Sequence, residues 1–268
     1  MKKKIIVFSI ALILLISLYY ANKIMVVSYP YVREIKEDNL TDNVKDYKTA
    51  QSEHFIVRYT PPDEKYVPLV LKIAEKHYDS ITKDLGHKPI GKIVIIMYHD
   101  PEKMNRDFSL AKGDTAMGIY LNGIISIASP ELWISPTKDL EKVFEHEGPI
   151  VHEFAHLIVD DVAKGNYPVW FTEGIALLEE YRENGFVWGE YITTDKPYSL
   201  KELTYNFNQL DETLAYKRSF EIVKAITDKY GMQSIREILK YLGEGLNLSE
   251  SFYKVTGQNL EKFVDSVK

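Results

Sequence analysis

Hydrophobic and polar positions change rhythm several times along this chain of 268 residues. Three lysines, Lys2 to Lys4, precede an uncharged run from Ile5 to Ala21, IIVFSIALILLISLYYA. That run is slightly short for an ideal bilayer span, yet within the range for a tilted helix or a thinned bilayer. Residues 24–50 turn polar and irregular and read as a stalk. HFIVRYT (54–60) has strand-forming residues and stops at Pro61-Pro62. Over 64–85 the apolar positions Val67, Leu71, Ala74, Tyr78, Ile81 and Leu85 keep helical spacing. KIVIIMY (92–98) is continuously apolar and rich in β-branched residues, the mark of a buried strand. Asp100-Pro101 opens a short helix, and GIYLNGIISIA (118–128) reads as two strands around an Asn122-Gly123 turn. From Lys138 the pattern is mostly helical, broken near Gly148-Pro149, Gly165-Asn166, Asn184-Gly185 and Gly243–Gly245. No internal repeat interrupts this order. Strands and a helix first, then helices, predict one α+β domain over 51–268.

Charge sharpens the reading of the first 23 residues. They carry Lys2, Lys3, Lys4 and Lys23 and no acid. Lysines massed before an uncharged run place that end in the cytoplasm and the rest of the chain outside. Residues 1–23 are therefore expected to be a signal anchor, giving a single-pass membrane protein with an extracytoplasmic domain. A cleaved signal peptide and secretion is the alternative, although the run ends in Tyr-Tyr-Ala-Asn-Lys without a small-x-small site. The chain's net charge is −6 despite those lysines. Such an acidic body argues against nucleic acid as a partner, since phosphate binding needs a basic surface. The absence of cysteine excludes disulfides, thiolate metal ligands, a cysteine nucleophile and cysteine lipidation.

The candidate chemistry lies in HEGPIVHEFAH (146–156), which contains a His-Glu pair twice. His152-Glu153-Phe154-Ala155-His156 is H-E-x-x-H. On a helix the two histidines lie about 40° apart and one turn up, so both imidazoles can reach one metal ion. Glu153 falls about 100° from His152 and about 60° from His156, flanking the metal without having to bind it. Zinc in a catalytic site needs a third protein ligand and an open position. Asp160, Asp161 and Glu173 are the nearby acids downstream. Asp160 sits on the same helix and points along it. Glu173 opens a second helix in PVWFTEGIALLEEY (168–181), where Gly174 and Ala176 permit close packing and Thr172 or Asn166 could cap. His146 lies about 120° off the ligand stripe, behind Pro149, and Ile150 stands where its partner histidine would be. The first pair is thus expected at a turn or the end of the preceding helix, as a structural or rim feature.

HEFAH followed by WFTEGIALLEEY resembles the gluzincins, zinc peptidases with two histidines and a downstream glutamate. It is most similar to the bacterial peptidase MA-like domain. HFIVRY resembles that family's opening strand and GIYLNGIISIA its edge strand. LAYKRSFEIVKAITDKYGMQSIREILKYLGEG (214–245) and SFYKVTGQNLEKF (251–263) resemble its C-terminal helices. The likeness covers roughly 52–265. It implies a zincin-like α+β fold: a small N-terminal mixed sheet with an edge strand over the HExxH helix, then a mostly helical part. It also implies Zn²⁺ as cofactor, His152, His156 and Glu173 as ligands, Glu153 as general base, and Tyr216 as a hydrogen-bond donor to the oxyanion. Aminopeptidases of this clan carry Gly-x-Met-Glu-Asn on the edge strand. This chain has Gly118-Ile119-Tyr120-Leu121-Asn122, without the glutamate, which puts aminopeptidase activity in doubt.

These residues lead to an expected reaction. Zinc lowers the pKa of water toward neutrality, and Glu153 moves the proton from that water to the leaving nitrogen of a peptide bond. The substrate is a peptide or protein, held along the edge strand as an added strand. Two other readings stay open: a surface-anchored, zinc-containing binding or assembly module without turnover, and an amidase of cell-wall peptides. For Asp160 and Asp161 the options are a partner to a ligand histidine or a solvated helix end.

Overall fold

The computed structural model describes residues 2–109, 116–193 and 197–267, with side chains described from Tyr20 onward. Helix α1 (Lys2–Asp42) leads into strands β1 (Lys48–Gln51) and β2 (Phe55–Tyr59), helix α2 (Val67–Leu85) and strand β3 (Ile93–Tyr98). Helix α3 (Pro101–Phe108) follows, begun by the Asp100 side chain accepting the Glu102 N–H at 2.9 Å. Strands β4 (Gly118–Leu121) and β5 (Ile124–Ala128) form the expected hairpin. Its turn residues Asn122 and Gly123 both take positive φ, 48° and 92°, as a tight two-residue hairpin requires. The remainder is helical: α4 (Leu140–Glu147), α5 (Ile150–Ala163), α6 (Val169–Asn184), α7 (Leu200–Asn206), α8 (Glu212–Tyr230), α9 (Met232–Gly243), α10 (Leu248–Thr256) and α11 (Leu260–Ser266).

The five strands make one mixed sheet in the order β1-β2-β3-β5-β4, with β1 and β4 as antiparallel edges and a parallel centre. The fold is thus α+β, a small mixed sheet followed by helices. Both faces of the central strands are covered, which is why IVIIMY (93–98) is apolar throughout. Val57, Ile95, Met97, Ile125 and Ile127 join the main core with α2, α5 and α6. On the other face Ile96, Tyr98 and Ile124 pack with Met104 of α3, Leu40 of α1 and Val44.

The segment expected as an irregular stalk is different. Its residues continue α1 through Asp42 and then supply β1. The physical reason is lateral packing. Val26, Leu40 and Val44 are buried, and Tyr29 and Arg33 bond to α5. Pro30, inside the helix, withdraws a single backbone donor. Strand β1 carries no alternating pattern in the sequence, because none of its four side chains is buried. Among the described residues no helix is long and apolar enough to cross a membrane. The uncharged run from Ile5 to Ala21, on which the signal-anchor reading rests, lies outside the described side chains up to residue 19.

Candidate metal centre

The break between α4 and α5 decides which histidines meet. Gly148 ends α4, with its N–H on the Phe144 carbonyl at 3.0 Å, and Pro149 precedes the first residue of α5. Pro149 lacks an N–H where a helix start leaves donors free anyway. His146 and Glu147 therefore sit at the exposed end of α4, as their spacing predicts. Helix α5 then presents His152, Glu153 and His156, with Phe154, Ile158 and Val159 buried in the core. Helix α6 packs beside α5 and brings Glu173 to the same place.

The Glu173 carboxylate oxygen lies 3.2 Å from His152 Nε2 and 3.4 Å from His156 Nε2. One ligand atom from each of the three residues falls within 4.8 Å of the others. In a tetrahedral zinc site with bonds of about 2.0–2.1 Å, neighbouring ligand atoms are about 3.3–3.4 Å apart, so the two nitrogen–oxygen separations fit. The remaining ring nitrogens fit as well. His152 Nδ1 lies 3.4 Å from the Glu180 carboxylate, and His156 Nδ1 is 2.6 Å from the Thr172 hydroxyl. Outer partners of this kind fix the ring and its tautomer and turn the other nitrogen to the metal. The donor set, two imidazoles and a carboxylate, suits zinc.

These outer partners are not Asp160 or Asp161. Asp160 and Asp161 meet neither ligand histidine; they bind Tyr29, Tyr120, Tyr167, Arg33 and His87. Asp160 is not solvated either, being fully buried, while Asp161 is partly exposed. Glu180 carried a signal in the sequence all the same. It follows Glu173 by seven residues, about 20° off the same helix face. Thr172 bonds to His156 instead of capping α6, and Asn166 donates to the Leu242 and Leu246 carbonyls. Gly174 is small for a different neighbour than α5: a Cβ there would lie 2.4 Å from the Ser219 carbonyl oxygen of α8.

Electrostatics follow from burial and these contacts. Glu153 is 6 % exposed. Burial raises its carboxyl above the ordinary range, against the lowering pull of His152 and His156. Burial also opposes ionisation of Glu173, but His156 and His152 override it and hold this carboxyl well below the usual value. For His152, burial lowers the imidazole while Glu180 and Glu173 raise it, and the net direction is well above the ordinary histidine value. Tyr216 arrives from α8 beside Glu173, its ring against Trp188 and Phe207. Burial, then Glu173, Glu212 and Glu153, keep its phenol protonated.

The edge strand closes the other side. A Cβ on Gly118 would lie 2.6 Å from Glu153 Oε1 and 2.5 Å from Pro149, so only glycine lets β4 come this close to the α5 carboxylate. The Tyr120 backbone N–H is directed at the same carboxylate and lowers its pKa.

Two comparisons with known proteins bear on this site. The family model described as Peptidase MA superfamily matches residues 78–267, which takes in α5, α6 and α8. An uncharacterized protein of Bacillus subtilis (strain 168), YhcO, is 21 % identical over 249 residues, spanning 87 % of this chain and 74 % of its own length.

Proposed function

The chain belongs to the Peptidase MA superfamily, and from that premise we propose that it is a zinc-dependent peptidase of the gluzincin type. The observation that carries this reading is the convergence of His152, His156 and Glu173 beside the buried carboxylate of Glu153. His152, His156 and Glu173 would hold the zinc, which would supply Lewis acidity toward water and a peptide carbonyl. Glu153 takes the proton as water attacks that carbonyl and delivers it to the leaving nitrogen. Tyr216, kept protonated beside Glu173, donates to the developing oxyanion.

Substrate binding falls to β4. It is a sheet edge, and its free side runs along α5. A peptide extended there would pair with the Gly118 backbone as an added strand and leave its scissile carbonyl near Glu153. We further propose that the run Ile5–Ala21 anchors the chain in the membrane with the catalytic domain outside, on the strength of Lys2 to Lys4 before it. Protease added to intact cells should then degrade the domain; complete protection, with the protein in the cytosolic fraction, contradicts this topology.

The activity is tested by incubating zinc-loaded protein with a random-peptide pool and sequencing new termini, with Glu153→Gln as control. New termini in the wild-type reaction alone are expected. No cleavage across broad pools by a fully loaded protein would contradict the peptidase reading and favour a binding module. Cleavage of cell-wall peptides alone would move the substrate class.

A further inference from the structure

The C-terminal end of α5 carries no metal ligand, yet it is the most densely tied part of that helix. One carboxylate oxygen of the fully buried Asp160 accepts the Tyr29 hydroxyl at 2.7 Å and the Tyr167 hydroxyl at 2.8 Å. The other accepts the Tyr120 hydroxyl at 2.6 Å and lies 3.3 Å from the Arg33 guanidinium. Arg33 also pairs with Asp161, which His87 meets at 3.1 Å. A buried network with each member satisfied holds its parts in one arrangement. Three elements meet in this one: α1 through Tyr29 and Arg33, α5 through Asp160, and β4 through Tyr120.

Tyr120 is the member that reaches the candidate centre. Its ring lies over His156, with centroids 6.5 Å apart. Its hydroxyl also accepts the Gly123 N–H at 3.0 Å, tying the hairpin turn. The backbone follows from the ladder. Ala128 donates to the Met117 carbonyl at 2.9 Å, and bonded pairs in an antiparallel ladder alternate. Ile119 and Leu121 therefore face β5, while Gly118 and Tyr120 turn their N–H groups to the free edge. The Glu153 carboxylate lies along that edge, its Oε1 2.6 Å from the place a Cβ on Gly118 would take.

We infer that Tyr120 is a positioning residue for Glu153, held in that role by Asp160 and, through Arg33 and Tyr29, by α1. The hydroxyl end of Tyr120 is pinned to α5, so its backbone N–H stands at a fixed distance from a carboxylate two turns earlier on the same helix. Helix α1, outside the matched family region, is then part of the catalytic unit. This inference rests on Glu153 acting as general base.

Tyr120→Phe in the full chain tests it. The variant keeps the ring and the backbone N–H and leaves Asp160 with Tyr29, Tyr167 and Arg33. Zinc content should stay at one equivalent and KM within about twofold, while kcat falls roughly tenfold or more, the scale of a slightly misplaced catalytic group. Amide exchange at residue 120, followed by ¹⁵N labelling in zinc-free protein, should speed up. Tyr167→Phe is the control. It removes a hydroxyl from the same carboxylate but, among the described residues, makes no hydrogen bond to β4, so it should lower stability alone. Arg33→Gln should reduce kcat in the same sense as Tyr120→Phe. An unchanged kcat and amide exchange in Tyr120→Phe, or equal losses in both tyrosine variants, overturns the positioning role. An unchanged kcat in Arg33→Gln removes α1 from it. If Glu153→Gln itself retains turnover, the general-base reading fails instead, and the amide exchange still decides whether Tyr120 holds that carboxylate.

Discussion

His146-Glu147 and His152-Glu153 are the same dipeptide six residues apart, and the fold gives them unrelated surroundings. The first pair ends α4 at the surface, where the His146 ring meets the edge of Phe186, with centroids 6.5 Å apart. The second begins α5 in the interior, with Glu153 and His156 both under a tenth exposed. Helical phase sets His152 over His156, α6 adds Glu173, and Glu180 and Thr172 fix the two rings. The pair alone is therefore not the site. What makes it one is its position in the helical repeat and the partners brought from α6.

The largest effect that separates the pairs is on turnover. Glu153→Gln should keep zinc and fold while slowing peptide hydrolysis by roughly 10²–10⁴-fold, the usual contribution of general acid–base catalysis. Glu147→Gln should leave the rate within about twofold. Comparable losses from both would erase the distinction. Glu173→Gln differs again, because it weakens a ligand, and should cost zinc as well as rate.

Next comes metal affinity. Glu180→Gln removes the carboxylate that faces His152 Nδ1 and should weaken zinc binding about 10–100-fold, the range for outer partners. Competition with a chromophoric chelator reads it directly. An unchanged affinity would mean that Glu180 does not orient His152.

The smallest effect lies at the joint between the pairs. A Cβ on Gly148 would lie 2.1 Å from the Phe144 carbonyl oxygen. Gly148→Ala should cost about 1–3 kcal/mol, as overpacking does, read as a lower Tm. If stability is unchanged and zinc is lost, the joint positions α5 instead of merely ending α4.

Much of this contrast was legible from local spacing. The i, i+4 histidines, the Pro149 break and the Asn122-Gly123 turn each act within a few residues, so the chain states them directly. Glu173 needed one helix–helix contact and was still found, because PVWFTEGIALLEEY begins a helix right after α5. The docking of α1 was not legible. Its apolar anchors, Val26 and Leu40, are fourteen residues apart, and between them the contact is polar, through Tyr29 and Arg33 onto α5. Polar residues without an apolar stripe read as a solvated stalk until their distant partners are known. Glu179 is a further case. It is fully buried with neither oxygen bonded within the described residues, and burial pushes its carboxyl well above the ordinary value. On sequence it passes for one more helical acid.

The central claim is that the second His-Glu pair, and not the first, holds the metal with Glu173. Elemental analysis of the purified protein as His146→Ala and as His152→Ala tests it most directly. About one zinc per chain is expected in the wild type and in His146→Ala, and close to none in His152→Ala. A His146→Ala protein emptied of zinc, or a His152→Ala protein still fully loaded, would contradict the account.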